Sequence, residues 1–187
     1  MTIIGVCIMA KDATYERDIV KAKLAERILF DVINDELGLI YDVEYTADVP
    51  AYYNRGDVLI RNYNKDEWCI DAKDDKSIWY THNVFVEERI ARGYYTEKGW
   101  ITKDYDEVAI VNRHDNEIYI LDFKKLKEEY KQIRHKSGVP AKFGDHTSYG
   151  SLCNIWDLQA HDILTRIIQY EGNEQDGFKI KLQEKTA

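Results

Sequence analysis

Cysteine and proline are scarce in this sequence. Only three of its 187 residues are cysteine and only two are proline. Cys7, Cys69 and Cys153 lie far apart and form no Cys-x-x-Cys pair, which argues against a disulfide framework and against a structural zinc site. Free cysteines are typical of a reducing compartment, so the sequence favours a cytoplasmic location.

Long apolar runs are also missing. No stretch approaches the ~20 residues that span a bilayer, so we expect no membrane partner. Residues 1–12 carry no basic residue ahead of a very short apolar stretch, which indicates a strand or an ordered arm rather than a signal peptide. The length suits one domain, residues 1–187, and suffices to bury a core without a disulfide or a metal.

Positive charge is in deficit. The net charge is -8, which by itself disfavours a nucleic-acid partner because DNA-binding proteins usually show a basic surface. Residues 121–142 differ, since seven Lys and Arg there face three acids and leave the segment at +4 and the remainder at -12. An acidic protein can still bind phosphates locally, particularly where metal ions neutralise an acidic cleft.

Hydrophobic patterning predicts a mixture of helices and strands. We expect helices over 14–37, 78–92, 123–134 and 157–170. Strands are expected over 39–46, 57–62, 68–73, 107–112, 117–122 and 151–156, with a loop over 137–150. This order predicts an α/β (α+β) fold with a mixed central sheet flanked by helices.

The helix predicted over 14–37 carries an acid inside its apolar face. Glu26 falls near the middle of that face at a spacing of about 100° per residue. The apolar residues around it are Ile19, Ala22, Ala25, Leu29, Phe30, Ile33 and Leu37. A carboxylate there is costly unless a cation or hydrogen bonds meet it. Glu26 therefore either faces a functional cleft or reaches the edge of the face, where it meets water or an arginine.

Two carboxylates and one lysine are predicted to gather at one end of a hairpin. If its turn centres near 64–65, Asp57 lies opposite residues 71–73. Asp71 and Lys73 are two residues apart, so they share a face at roughly 6–7 Å along the strand. The alternative is an exposed strand face with alternating charges.

Phosphodiester hydrolysis requires such a cluster. Mg²⁺ or Mn²⁺ takes carboxylate oxygens together with waters, polarises the phosphoryl oxygen and activates the attacking water. A neighbouring lysine orients the nucleophile and stabilises the charge that develops on the phosphate.

The pattern Asp57, a hairpin turn, then Asp71-Ala72-Lys73 resembles the signature of the PD-(D/E)xK, or restriction-endonuclease-like, nuclease superfamily. The inward Glu26 on the preceding helix also resembles it. The resemblance implies an α-β-β-β-α-β core over about residues 15–122, with residues 123–187 as a C-terminal extension. It implies Asp57 and Asp71 as metal ligands, Lys73 as the catalytic lysine, and Glu26 as a further ligand or water-orienting acid.

The segment after this strand also resembles phage and other bacterial members of the superfamily. Residues 81–87 are similar to a TxNxxxE-like stretch, in which Asn83 and Glu87 would support the site from one turn of a helix. The alternative is that Asn83 and Glu87 only make a hydrogen bond at the start of a helix and lie on its solvent-exposed face. The sequence departs from the signature in two places, because Gly56 replaces the proline before Asp57 and the middle acid, Asp71, is Asp rather than the more frequent Glu.

The resemblance implies a nucleic-acid partner, with DNA favoured over RNA and the choice between them open, and two surfaces are candidates for holding it. Lys124, Lys127 and Lys131 follow an i, i+3, i+7 spacing on the helix over 123–134 and form one candidate. Tyr52 and Tyr53, in the loop before the first acid, are the other, as rings that stack on bases. Either set also suits an ordinary solvated face or core packing.

The sequence predicts a metal-dependent nuclease of phage or mobile-element type. A catalytically inactive nucleic-acid- or protein-binding module on the same fold remains open, as does a structural protein whose charged hairpin is only surface. Monomer and homodimer are also both open.

Overall fold

The computed structural model describes residues 13–52, 54–143 and 146–181 and has a mixed α+β architecture. A long helix, α1 (Ala13–Leu37), leads into β1 (Asp42–Tyr45), β2 (Val58–Arg61) and β3 (Glu67–Asp74). A one-turn helix, α2 (Ile78–Thr81), precedes β4 (Asn83–Arg92) and β5 (Tyr95–Lys98). The remaining elements are β6 (Glu107–Asn112), β7 (Glu117–Asp122), α3 (Phe123–Ile133), β8 (Lys136–Phe143), β9 (His146–Asn154), α4 (Ile155–Ala160), β10 (Leu164–Asn173) and β11 (Gly177–Ile180).

These strands form two sheets. The larger has the order β1-β2-β3-β6-β7-β10-β11, and β3 and β6 pair in parallel while its other neighbours are antiparallel. The smaller, antiparallel sheet has the order β5-β4-β9-β8. The mixed sheet predicted from the sequence is therefore confirmed at the level of fold class.

Each face of the larger sheet buries its own core. On one face α1 packs through Ala25, Ile28 and Leu29 against Ile70 and neighbouring strands. On the other face, β4 of the smaller sheet, α3 and α4 enclose a second apolar cluster. Asp71 and Lys73 alternate with Ile70 and Ala72 along β3, so these two functional candidates point away from the α1 core.

The helix predicted over 78–92 is wrong beyond Thr81. The chain continues as β4, because Val84 and Val86 are buried while Phe85 between them is only half-buried. That alternation has the period of two that a sheet requires. His82 ends α2 in the left-handed conformation at φ 52°.

Two predictions in the C-terminal third are also wrong. The loop predicted over 137–150 forms β8 and much of β9, since Pro140 is tolerated on the edge strand β8 and Gly150 lets the backbone approach Val86 closely. The helix predicted over 157–170 stops at Ala160, and a left-handed Asp162 leads into β10, which pairs with β7. Tertiary pairing overrides local propensity in both segments.

The other predicted elements lie close to their expected positions. The helix over 123–134 is α3, whose Phe123, Leu126, Tyr130 and Ile133 are buried. The hairpin over 107–122 is β6 and β7. Within the described part of the chain, no helix is long and apolar enough to cross a bilayer. The strand or arm predicted over residues 1–12 lies outside the described residues.

Candidate active site

The register of the β2–β3 hairpin brings Asp57 beside Asp71. Val58 pairs with Ile70, and one residue further the Asp57 amide donates to the Ile70 carbonyl at 2.9 Å. The Ala72 amide in turn donates to Asp57 Oδ2 at 2.8 Å. The prediction that Asp57 lies opposite residues 71–73 is therefore confirmed.

Gly56 is what allows the chain to reach this position. Its φ is 115°, a left-handed value that residues with a side chain rarely adopt. A Cβ atom built on Gly56 would lie 2.8 Å from the Ile70 carbonyl oxygen. Glycine is therefore favoured at this position, because the backbone passes close to β3 here.

We expect Gly56→Ala to destabilise the protein by roughly 2–4 kcal/mol, the sum of a strained backbone and a clash with β3. Gly93→Ala is the matched control, since Gly93 also has a positive φ, 54°, but its Cβ would meet nothing within 4 Å. Urea unfolding of both variants measures the difference. Equal losses at the two glycines would contradict the close approach.

Asp71 and Lys73 form a close ion pair in this face of β3. Lys73 Nζ lies 2.5 Å from Asp71 Oδ2, and the side chains are 31% and 8% exposed. That oxygen is buried, and the Lys73 ammonium lies directly against it. Asp71 Oδ2 is therefore already engaged in a buried, charge-assisted contact with Lys73.

The Asp57 carboxyl group is held in an unfavourable environment for its charge. Burial raises its pKa first, and the neighbouring Asp71 carboxylate raises it further. Lys73 and the Ala72 amide lower it only in part, which leaves the pKa of Asp57 at about 7. Two acids this close favour either a shared proton or a bound cation.

The Lys73 ammonium experiences the opposite balance. Burial lowers its pKa, but Asp71 and then Asp57 raise it by more, with a smaller contribution from Glu87, so its pKa lies above the ordinary value. The ammonium also lies 5.9 Å from the centre of the Tyr105 ring. Lys73 is therefore a fixed positive charge in the cluster.

Glu26 approaches the cluster from α1. It is half-buried and accepts a hydrogen bond from Tyr45 Oη at 3.0 Å, rather than pairing with an arginine. Burial raises the pKa of Glu26 despite that hydrogen bond. Its charge in turn raises the pKa of Asp57, which puts the two carboxylates within electrostatic reach of each other.

Asn83 and Glu87 lie on a strand, β4, and not on the predicted helix turn. Glu87 contributes to the raised pKa of Lys73 and accepts a hydrogen bond from the fully buried Ser148 at 2.5 Å. Asn83 Oδ1 accepts from Asn154 Nδ2 at 3.4 Å and links β4 to β9. Glu87 thus belongs to the cluster's surroundings, whereas the contacts of Asn83 are those of sheet pairing.

Of the two aromatic candidates before Asp57, Tyr52 has a structural role. Tyr52 lies in a one-turn 3-10 helix, and its hydroxyl accepts from Arg61 Nη2 at 3.2 Å. Arg61 also pairs with Glu44 at 2.7 Å and with Glu67 at 2.8 Å. Tyr52 therefore braces the hairpin, and Tyr53 lies outside the described residues.

The three candidate lysines of α3, Lys124, Lys127 and Lys131, are exposed, but the first two lie among acidic side chains. Lys124 and Lys127 line a cavity of about 530 Å³ beside the start of the helix. The same cavity is lined by five carboxylates: Asp104, Asp106, Glu107, Asp122 and Glu128. Lys127 is further engaged with the Lys103 carbonyl at 2.9 Å. These contacts weaken the case for Lys124, Lys127 and Lys131 as a phosphate-binding edge, which stays a prediction.

Three contributors to the cluster were missed by the sequence analysis. Tyr45 fits the alternating pattern of a strand, but the sequence does not identify Glu26 as its hydrogen-bond partner. Tyr105 lies in a loop and Ser148 in a segment expected to be a loop, so neither carried a recognisable signal. All three reach the site through pairing or packing that links distant parts of the chain.

The fit of a metal rests on the two aspartates. Among residues 13–52, 54–143 and 146–181, no three His, Cys, Asp or Glu side chains are grouped closely enough to hold a metal ion. Mg²⁺, however, is commonly held by one or two carboxylates together with waters and substrate phosphates. Asp57 and Asp71 meet that requirement by their chemistry and proximity, and an ion bound there would share Asp71 Oδ2 with the Lys73 ammonium.

No family model, curated protein or solved structure matches this chain. The site therefore has to be interpreted from its own geometry and charges.

Proposed function

We propose that this chain is a divalent-metal-dependent nuclease that hydrolyses DNA phosphodiester bonds, built on a restriction-endonuclease-like core. The observation that carries the proposal is the pairing of Asp57 and Asp71 across a hairpin, with the Lys73 ammonium 2.5 Å from an Asp71 oxygen. Such a combination of two acids and one amine suits phosphoryl chemistry and is costly to bury without a use.

Each residue has a distinct part in this proposal. Asp57 and Asp71 would hold Mg²⁺ or Mn²⁺, with Glu26 as an additional acid on the α1 side. The ion supplies Lewis-acid polarisation and a lowered pKa for bound water. Lys73 stabilises negative charge that develops on the phosphate, because its own positive charge is secured by the two aspartates. Tyr45 orients Glu26 through its hydroxyl hydrogen bond.

The direct test is incubation with supercoiled plasmid, linear duplex DNA, single-stranded DNA and RNA, each with Mg²⁺, Mn²⁺ or EDTA. Cleavage of a DNA substrate that needs the metal and stops with EDTA is the expected result. Metal-independent cleavage, or no cleavage of any substrate, would refute the proposal.

A catalytically inactive nucleic-acid- or protein-binding module on the same core is the second candidate. It is favoured by the lack of a three-ligand metal group among the described residues. Binding of nucleic acid without cleavage by any divalent ion would select it.

We expect Glu26→Gln to slow turnover by about tenfold while weakening Mn²⁺ binding less than Asp71→Asn does, because Glu26 comes from α1 and is already engaged by the Tyr45 hydroxyl. The variant should be at least as stable as the parent, since it removes a half-buried charge whose pKa is raised. Calorimetric titration with Mn²⁺ and urea unfolding measure the two effects. Tyr45→Phe is the control that removes only the hydrogen bond, and loss of all Mn²⁺ binding in Glu26→Gln would instead make Glu26 a principal ligand.

A further inference from the structure

One face of the smaller sheet is basic at its outer end, in contrast to the acidic chain as a whole. Arg89 lies directly opposite Lys98 on β5 and opposite Tyr149 on β9. Two residues along, Ala91 lies opposite Thr147, and Thr147 lies opposite Lys142 on β8. Because residues directly opposite each other share a face, Arg89, Lys98 and Lys142 all project to the same side.

These three cations are not neutralised by the protein. Each is exposed, and within the described residues none of them forms an ion pair. The Arg89 guanidinium instead lies 4.1 Å from the centre of the Tyr149 ring. We call Arg89, Lys98, Lys142 and Tyr149 the outer basic face.

Two acids on the same strands are already paired. Glu97 alternates with Lys98 and so projects to the opposite face, where it pairs with Arg92 at 3.4 Å. Glu88 on β4 pairs with Arg134 at 3.3 Å and accepts from Ser151 at 2.7 Å. Neither acid forms an ion pair with a cation of the outer basic face.

The pairing of Arg89 with Lys98 is unfavourable for folding alone. Like charges directly opposite each other on neighbouring strands destabilise a sheet by a few tenths of a kcal/mol or more. A bound polyanion would relieve this repulsion. The Tyr149 ring against the guanidinium restricts the Arg89 side chain, and the planar guanidinium can meet phosphate oxygens through two parallel N–H donors.

The outer basic face is separated from Glu87 by a β-bulge in β4. Glu87 lies opposite Gly150 and Arg89 lies opposite Tyr149, so the two side chains project to opposite faces of the smaller sheet. The outer basic face is therefore a surface distinct from the carboxylate cluster.

We infer that the outer basic face binds the phosphate backbone of a nucleic acid. The choice of nucleic acid as the polyanion rests on the proposed nuclease function. The face contacts backbone rather than bases, so it contributes affinity and orientation without sequence preference. The outer basic face would thus provide the phosphate binding that the sequence predicted for the α3 lysines.

The test is the salt dependence of DNA binding by Arg89→Gln/Lys98→Gln, measured in EDTA with fluorescent single-stranded and duplex oligonucleotides. The double variant should bind on the order of tenfold or more weakly, with a salt slope shallower by about one unit per lost contact. Lys179→Gln/Lys181→Gln removes the same formal charge at β11, an edge strand of the larger sheet, where Lys179 already pairs with Glu171 at 3.3 Å, and should bind like the parent. Urea unfolding should show the test variant to be no less stable, since it removes a like-charge pair.

Each outcome has a distinct meaning. An unchanged affinity and salt slope in Arg89→Gln/Lys98→Gln overturns the inference. If DNA binding is weakened only in Lys124→Gln/Lys127→Gln, the phosphate-binding surface lies on α3 instead. Loss of binding to anionic phospholipid vesicles with DNA binding unchanged overturns it in favour of a membrane surface. DNA binding is measured here without a divalent metal, so it is independent of cleavage. A parent protein that binds DNA through this face but cleaves no substrate in the metal-containing assay would refute the nuclease proposal and leave this inference intact.

Discussion

Asp71→Asn is expected to lower the DNA cleavage rate by on the order of 10²–10³ or more, and Lys73→Ala to lower it by a similar factor. The amide introduced by Asp71→Asn would keep the shape of the side chain but remove the charge that holds both the ion and the lysine. Lys73→Ala removes the cation that balances two buried carboxylates, which leaves the developing charge on phosphate without a partner. Single-turnover cleavage with saturating Mg²⁺ separates these losses from substrate binding.

Asp42→Asn is the matched control for Asp71→Asn. It makes the same chemical change in the same sheet, but the Asp42 side chain is 71% exposed and pairs only with Arg61 at 3.3 Å. It should cleave like the parent. Full Mg²⁺-dependent activity in Asp71→Asn or in Lys73→Ala would exclude the roles assigned to them, provided that circular dichroism shows the fold to be unchanged.

The free energy of unfolding should fall as pH rises from about 4 to about 7, and Asp57 should be a main cause. Its pKa rises from an ordinary value of 3.8 to about 7 on folding, so between these values the folded state holds a proton that the unfolded state has released. Stability contributed by the protonated carboxyl group is complete below the lower value and is lost as pH rises through the upper one. The loss amounts to at most about 4 kcal/mol, at 1.36 kcal/mol per unit of pKa.

Asp57→Asn isolates this contribution, because an amide does not titrate. Urea unfolding across this pH range should show a steeper decline in the parent than in the variant, while Glu26 and the other titrating acids contribute to both. Mg²⁺ should restore stability at neutral pH in the parent alone, since the ion favours the ionised carboxylate. Parallel pH profiles for the two proteins would mean that Asp57 is not held in its raised-pKa environment.

The sequence was sufficient for those parts of the site that depend on local pattern. A hairpin fixes its own register once the turn is placed, and the turn at 62–66 is secured by Asn62, whose side chain accepts from the Asn64 and Asp66 amides at 2.8 and 2.9 Å. Asp57, Asp71 and Lys73 could therefore be brought together from spacing alone. Glu26 followed from helical periodicity, because a single acid in an apolar face is conspicuous.

The smaller sheet was beyond the reach of local pattern. Residues 78–92 contain helix-compatible Glu and Arg, and residues 137–150 contain glycine and proline, so each segment in isolation favoured another structure. Their strands form because β4 and β9 pair with each other across some sixty residues of chain. Both the surroundings of Glu87 and the outer basic face depend on that pairing, which is why neither was predicted.

The same long-range pairing sets the order in which the protein matures during synthesis. The β2–β3 hairpin, with Asp57, Asp71 and Lys73, can form as soon as residue 74 has left the ribosome, whereas β4 gains β9 as its neighbour only after residue 154 has been made. Until then Val84 and Val86 lack the partners that bury them, and an apolar strand edge is open to other chains. Nascent chains stalled between these points should therefore depend on chaperones and carry the hairpin of Asp57, Asp71 and Lys73 without the β4–β9 pair. The complete candidate site and resistance to aggregation would then arrive together, late in translation.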